Sequence, residues 1–350
     1  MTAIRTIEGA YRGTLTTLED RVELEEQQPA ARHPQEPLFS LIAGEGDGFM
    51  LGLAAGDTAG GAWELGYSAI TEQAVVIAYQ LIENRRVDPV PLRAGIGELD
   101  GSQDEEPVYR AETASFRAWL DRAAAGDPQP SADRGIDGVS RAAVVGVAFR
   151  RDPAAVIRET VSLSHVFDRD PATVAASLVA GTSTAASCFG QNGRDLIAGV
   201  REAVVPALGH LGEDRGDPAR LSRLGEELER LIPRVGVTDG LEALEIAGGD
   251  ITDPLHAVNA ALLLAAPMND RFHVAVEQSA RIGGSALAAF TGALIGARVG
   301  IRAWPWPFAN DTWFAEIGRR LVRGPHDLDG LPIPYAVEQH LMFGSRPGFL

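Results

Sequence analysis

The sequence predicts an all-α protein, a compact bundle of many helices in one domain. Apolar residues recur three and four positions apart in most segments, which is the period of an α-helix. No segment has the alternation of apolar and polar residues that is typical of a half-buried β-strand. The chain has 350 residues, of which 45% are hydrophobic, an ordinary share for a globular domain.

The first part of the chain divides into a polar arm and two predicted helices. Residues 1–45 are acidic and polar, so we expect this N-terminal arm to be partly disordered or loosely docked. Helical spacing of apolar residues then predicts helices over Phe49–Ala55 and Ile70–Ile82. Small residues at Gly52 and Gly56 suit close packing of helices.

The next segments alternate between predicted loops and helices. Residues 93–110 are rich in glycine and acidic residues and predict a solvated loop. A helix is predicted over Ala111–Ala125, followed by a proline- and aspartate-containing loop over Gly126–Gly138. We therefore expect this part of the domain to contain a single helix between two exposed connections.

Two Asp-Pro pairs mark helix starts in the long helical region Val139–Ala207. Asp152-Pro153 and Asp170-Pro171 each place an N-cap acid before a proline at the first helical position. A polar loop is expected at residues 208–220. The later predicted helices are Ala219–Ile232, Pro254–Leu264, Asp270–Arg281, Leu287–Val299 and Trp313–Val322. The helical domain thus covers residues 46–322, and residues 323–350 form a tail rich in proline and glycine.

Charge and composition exclude several classes of function. The formal net charge of −17 repels phosphate backbones and anionic lipids, so we expect neither nucleic acid nor a membrane surface as a partner. The 31 basic residues are all arginine, and without lysine a Schiff-base lysine for pyridoxal phosphate is excluded. The single cysteine, Cys188, excludes an internal disulfide and a cysteine-built zinc site.

The chain also lacks the usual signals for secretion or membrane insertion. No basic and then apolar signal peptide opens it. The longest apolar runs, such as Ala260–Pro267, are too short to span a bilayer. We expect a cytoplasmic protein whose partner is a small molecule, while the oligomeric state stays open.

Five segments, taken in order, carry a resemblance to a known family. Gly52–Glu64 contains the pattern Gly-x-x-x-Gly-Asp-x-x-Gly-x-x-x-Glu, with every fixed position present. The other segments are Tyr67–Thr71, Gly135–Gly146 with Leu163–His165, Gly248–Pro267 and Ile282–Gly300. In sequence and spacing these segments resemble the ADP-ribosylglycohydrolase family over roughly residues 46–320. The resemblance implies that family's all-α fold.

The chain departs from the family at the positions where the family holds two magnesium ions. The family has Thr-Asp-Asp where this chain has Ser68, Ala69 and Ile70, and Asp-Thr-Asp-Thr where this chain has Ser285–Ala288. Magnesium requires oxygen ligands and negative charge in an octahedral array, and here only Ser68 and Ser285 offer side-chain oxygens, as neutral hydroxyls. We therefore expect no bound metal and no cofactor. The loop that the family has between the glutamate matching Glu64 and this triplet is also shortened here.

Acidic residues near the retained motif are the candidate catalytic groups. Glu64 matches the family's active-site glutamate, and apolar replacements around it would raise its pKa toward that of a general acid or base. Glu72 is the second candidate, although it could equally lie on a solvated helix face. The candidate substrate-binding residues are Asp57, Tyr67, Ser68, Asp137, Ser140, Arg141, His165 and Ser285.

Several of these candidates also have a structural interpretation. Asp57 could serve as a hydrogen-bonding residue at a helix end, which we favour. Arg141 could receive a substrate carboxylate or phosphate in a bidentate manner, but a structural salt bridge is the commoner role of such a residue. His165 lies beside apolar residues and could be a packing residue.

Three functions remain after these considerations. The sequence favours an enzyme that acts without metal on a nucleotide-like or other small polar substrate, with Glu64 as acid or base. The alternative is a catalytically inactive protein that binds a ligand or partner. A conventional magnesium-dependent ADP-ribosyl hydrolase is the least favoured, because its metal ligands are missing.

Overall fold

The all-α prediction is confirmed by the computed structural model. It describes residues 45–61, 66–100, 109–110, 112–126, 129–131, 134–208, 218–267, 272–300, 310–334 and 336–337. The regular structure in these ranges is helical, apart from an isolated parallel bridge between Ser131 and Asp168. The predicted N-terminal arm lies outside the described residues.

Thirteen α-helices form the described part of the domain. The first seven are α1 (Glu45–Gly60), α2 (Ala69–Asn84), α3 (Pro89–Asp100), α4 (Ala114–Ala124), α5 (Asp137–Ala148), α6 (Pro153–Phe167) and α7 (Pro171–Ser187). The other six are α8 (Gly193–Leu208), α9 (Pro218–Leu231), α10 (Gly240–Ala247), α11 (Pro254–Ala265), α12 (Phe272–Val299) and α13 (Asp311–Arg323). Helix α12 is bent at Gly283 and Gly284, whose backbone angles are not helical.

Helices α1 and α12 pack against each other along facing stripes of small residues. A Cβ atom added to Gly52 would overlap the carbonyl oxygen of Gly292, and one added to Gly48 would overlap that of Gly296. Glycine removes the side chain from the contact, so the two backbones come closer than larger residues would allow. Residues of both helices belong to the hydrophobic core.

Aspartates cap the helices that begin with proline. Asp152 and Asp170 each accept a hydrogen bond from a backbone N–H in the first turn, and a proline follows each of them. Both predicted helix starts are therefore confirmed. Asp253 caps α11 in the same way. The proline has no N–H that the helix would leave unpaired, which makes the Asp-Pro pair a strong start signal.

The predicted loop at residues 93–110 is wrong in its first half, because α3 extends to Asp100. Leu92, Ile96 and Leu99 lie one turn apart and are at most 1% exposed. Burial of this stripe outweighs the low helix propensity of two nearby glycines, Gly95 and Gly97. Local composition was therefore a poor guide here, since packing decided the structure.

Helix α10 was also missing from the sequence interpretation. Its cap is Asp239, which accepts hydrogen bonds from two backbone N–H groups. Its buried residues include Ala243, Leu244 and Ala247. A helix of eight residues covers only two turns, so its periodicity is too short to recognise in the sequence.

Helix α12 has the length and apolar composition of a membrane span. Its most apolar window has a mean hydropathy of 1.4, but 72% of that window is buried inside the domain. A core helix of a globular protein has the same composition because every face contacts other helices.

The C-terminal segment is held against α2 by a tyrosine. The hydroxyl of Tyr79 donates a hydrogen bond to the carbonyl oxygen of Pro332 at 2.7 Å. The same hydroxyl accepts a hydrogen bond from the indole N–H of Trp313 at 2.9 Å. Residues that follow α13 are thereby placed beside α2 and α3.

The close contact of α1 and α12 predicts a large effect of a single methyl group. We expect Gly52→Ala to lower the free energy of unfolding by about 1–3 kcal/mol or more, because the helices must separate. Gly97→Ala is the matched control, since a Cβ there meets no atom within 4 Å. That control should be neutral or stabilising by about 1 kcal/mol. Equal stability of the two variants in denaturant titrations would contradict the packing argument.

Candidate functional site

Three segments that contain the sequence motifs meet at one place in the domain. The hydroxyl of Ser140, near the start of α5, donates to the carbonyl oxygen of Ala286 just after the bend of α12, at 3.3 Å. Arg141 on α5 donates through Nη1 to Oε1 of Gln73 on α2, at 2.8 Å. The first turns of α2 and α5 and the bend of α12 are therefore neighbours.

Asp57 connects α1 to the first turn of α2. Its carboxylate is fully buried and accepts hydrogen bonds from the N–H and hydroxyl of Ser68, at 2.8 and 2.7 Å. It also accepts from the N–H and hydroxyl of Thr71, at 3.1 and 2.7 Å. Burial raises the pKa of Asp57, and the hydrogen bonds from Thr71 and Ser68 oppose that rise. Asp57 thus satisfies backbone donors that the helix itself leaves unpaired.

Most of the positions at which the resemblance places the family's metal ligands are buried. Ala69 is 1% exposed, Ile70 is 3% exposed and Leu287 is completely buried. The hydroxyl of Ser68 donates to Asp57 and accepts the N–H of Ile70 at 3.2 Å. Ser285 is half-buried and lies beside Gly60 and Gly61.

Glu72 is buried in an ion pair, so its alternative placement on a solvated helix face is wrong. Its Oε1 lies 2.8 Å from Nε of Arg110, and its Oε2 accepts the backbone N–H of Arg110 at 3.2 Å. The guanidinium of Arg110 also stacks 4.3 Å from the ring centre of Tyr67. The Tyr67 hydroxyl in turn accepts a hydrogen bond from Asn310 at 2.9 Å.

Arg141 is the centre of a second buried network. Besides its bond to Gln73, it donates through Nη2 to Oδ2 of Asp168 at 2.8 Å. Its guanidinium stacks 4.1 Å from the ring centre of Phe167. The side chain of Arg141 is 4% exposed, so these contacts join α2, α5 and the end of α6 inside the domain.

The remaining predicted residues surround these networks. Asp137 is buried and accepts hydrogen bonds from the hydroxyls of Thr113 and Ser115. His165 lies half-buried in the last turn of α6. Glu64, the first catalytic candidate, lies outside the described residues.

Asp168 is the residue that the sequence interpretation missed. Burial raises the pKa of its carboxyl to about 6, against the opposing attraction of Arg141. The nearby negative charges of Asp137 and Asp170 raise this pKa further. A carboxyl with such a pKa can exchange a proton near neutral pH. The sequence contained no signal for it, because nothing indicates which acid pairs with Arg141.

The described residues contain no group of three histidine, cysteine, aspartate or glutamate side chains suited to hold a metal ion. Glu72 and Asp57 belong to separate hydrogen-bond networks, and each has its own partners. The acids around the site thus serve as internal acceptors in the described part of the domain.

Comparisons with known proteins agree with this fold. A family model described as ADP-ribosylglycohydrolase matches residues 46–329. Among solved structures, the chain is similar to an "ADP-ribosylglycohydrolase-related protein complex" with a TM-score of 0.55 and 18% sequence identity. That similarity covers 81% of this chain and 99% of the other. At 18% sequence identity it supports a shared fold and no shared activity. No curated protein matches the sequence.

The raised pKa of Asp168 predicts a specific pH dependence of stability. The folded protein binds this proton more tightly than the unfolded chain, so the group's stabilising contribution is present below about pH 4 and is lost as the pH rises through about 6. We expect the free energy of unfolding, relative to Asp168→Asn, to fall by at most about 3 kcal/mol over this range.

Urea titrations of both proteins at several pH values measure this difference. Asp168→Asn also removes the partner of Arg141, which shifts the whole curve of unfolding free energy against pH. The difference in slope between the two curves then comes from the missing carboxyl. Parallel curves for the two proteins between pH 4 and pH 6.5 would contradict the assigned titration of Asp168.

Proposed function

The chain belongs to the ADP-ribosylglycohydrolase family, and on this premise we propose that it lacks the family's two-magnesium site. In this proposal the protein binds a ligand or partner and does not hydrolyse ADP-ribosyl bonds. The sequence favours a repurposed enzyme over such a binding protein. The burial of side chains at the candidate site favours the binding protein instead. The observation that carries the proposal is the position of Ile70 and Leu287 inside the core.

The first support is the chemistry of the former ligand positions. Magnesium binds oxygen atoms in near-octahedral geometry, usually with carboxylates among them. Ala69, Ile70 and Leu287 offer no side-chain oxygen and belong to the buried hydrophobic core. The hydroxyl of Ser68 is engaged by the carboxylate of Asp57. This residue set does not fit a pair of magnesium ions.

The second support is the engagement of the remaining charged groups. Glu72 is paired with Arg110, and Arg141 is paired with Asp168. Separating a buried ion pair leaves an uncompensated charge in the interior and strongly destabilises the protein. These groups are therefore poorly placed to leave their partners and bind a reacting substrate. We therefore assign Glu72 and Arg141 to holding the site in shape.

The expected ligand is a nucleotide-like or other small polar molecule, as the family's activity suggests. The net charge of −17 disfavours nucleic acid and anionic membrane surfaces. We keep a cytoplasmic location as part of the same proposal.

The proposal predicts that divalent metal neither binds to the full chain nor gives it hydrolase activity. We expect no hydrolysis of an ADP-ribosylated protein above the buffer rate with or without millimolar Mg²⁺ or Mn²⁺, because the ligand carboxylates are missing. Calorimetry should detect no magnesium binding, while an active family hydrolase serves as the positive control. Turnover that requires Mg²⁺ and stops with chelator would refute the proposal.

A second candidate is a metal-independent enzyme, which the pKa of Asp168 favours. Its carboxyl has a pKa of about 6 and lies beside the guanidinium of Arg141 and near Asp137. An acid or base with a pKa near the working pH is an effective proton-transfer group. Glu64, the candidate from the sequence, would be the second carboxylate beside Asp168, since glycosidic bonds can be cleaved by two carboxylates without metal.

This candidate predicts activity that survives chelator and depends on carboxylates. Nucleotide-like substrates should be screened in excess chelator, and any turnover measured in Asp168→Asn and Glu64→Gln. We expect each change to lower kcat at least about 100-fold, the usual contribution of general acid–base catalysis. Glu242→Gln on the exposed start of α10 is the matched control. Unchanged kcat in both site variants would exclude the second candidate.

A further inference from the structure

The C-terminal half of α2 borders an apolar groove, whereas the candidate functional site uses the first turn of that helix. The groove lies between α2, α3 and the C-terminal segment, and its volume is about 330 Å³. Its apolar wall includes Val76, Leu99, Leu328 and Pro334. This volume lies in the range of protein sites that enclose apolar groups.

The last described residues of the chain lie close to this groove. Pro334 lines it, and the backbone N–H of Val337 donates to the carbonyl oxygen of Ile333 at 3.4 Å, which folds the chain into a turn there. Residues 338–350 follow Val337 in the sequence and lie outside the described residues. Leu341 comes four residues after Val337, and an extended chain of that length spans about 13 Å. The groove is therefore within reach of Leu341.

The sequence that follows Val337 complements the groove in polarity and in charge. Leu341, Met342 and Phe343 are three consecutive apolar residues, and Arg346 follows Phe343 by three positions. Among the described residues that line the groove, Glu83 has the one charged side chain, and it lies exposed on the last turn of α2. The apolar run thus matches the apolar wall, and the arginine is opposite in charge to the carboxylate at its edge.

From the position of the chain end and this complementarity we propose that Leu341, Met342 and Phe343 of the same chain dock in the groove, with Arg346 beside Glu83. A segment that is linked to its site by a few residues meets that site at an effective concentration of about millimolar, so weak contacts are enough to hold it. This is the reason to assign the groove to the chain's own segment. The proposal does not depend on the function of the candidate site, so each can fail without the other.

The test measures how fast chymotrypsin cleaves the bond after Phe343 in the full chain, followed by mass spectrometry. The reference is a free synthetic peptide of residues 338–350, which has the same cleavage site and no groove. We expect cleavage of the full chain to be at least about tenfold slower than cleavage of the peptide, because the protease needs the undocked segment. Equal rates would overturn the proposal. Protection that disappears on dilution of the protein would assign the groove to a second copy and would overturn docking within one chain.

A variant that fills the groove shows whether the groove is the docking site. Ala94 lines the groove at an exposed position of α3, so Ala94→Trp should occupy the space without disturbing the core. We expect this change to bring the cleavage rate within about twofold of that of the free peptide. Ala154→Trp, at an exposed position in the first turn of α6, is the matched control and should keep the protection. Full protection in Ala94→Trp would rule out the groove as the docking site.

A charge exchange tests the contact between Arg346 and Glu83 and does not rely on a bulky substitution. Glu83→Arg and Arg346→Glu should each reduce the protection by about two- to fivefold, the range of an exposed ion pair. The double variant should regain the protection of the original chain. Each rate is divided by that of a free peptide with the same tail sequence, which removes the preference of the protease itself. A double variant as unprotected as the single ones would overturn the charge contact.

Discussion

The close contact of α1 and α12 is the constraint on which the rest of the structure depends. Because Gly52 and Gly292 let the two backbones touch, the end of α1 lies beside the bend of α12, where Gly60 meets Ser285. Asp57, one turn before that end, then accepts the backbone N–H groups of Ser68 and Thr71 at the start of α2. The contact between α1 and α12 thus positions the first turn of α2.

Arginine side chains donate hydrogen bonds to the carbonyl oxygens at the C-terminal ends of several helices. Arg85 donates to the carbonyl oxygens at the C-terminal ends of α5 and α13, and Arg298 donates to Ala265 at the end of α11. Burial lowers the pKa of Arg298 to about 10. The guanidinium has several donors in a fixed plane, so it can satisfy carbonyl oxygens of two helices at once.

Arginine also supplies the positive charge at the candidate site. Arg110 and Arg141 each hold a buried carboxylate there, and each also stacks on an aromatic ring. These contacts connect α2, α5 and α6 through side chains and need no ion between the carboxylates. This arrangement explains how acidic groups remain in the interior of a domain in which Ala69, Ile70 and Leu287 are also buried.

The identity of the site segments could be predicted from motifs, but the roles of their side chains could not. The sequence puts Asp57, Glu72 and Arg141 among the candidate site residues. Their partners are Ser68, Arg110 and Asp168, and each of these lies on a different segment or turn. A residue's hydrogen-bond partner depends on packing between helices, which a single sequence does not contain.

The sequence by itself determined the all-α class, the Asp-Pro helix starts and the absence of acids at positions 68–70 and 285–288, because these depend on local periodicity and residue identity. Only the tertiary structure decided that α3 is a helix, that Glu72 is buried and that Asp168 has a raised pKa. The physical reason is that burial, ion pairing and desolvation arise between segments distant in the chain.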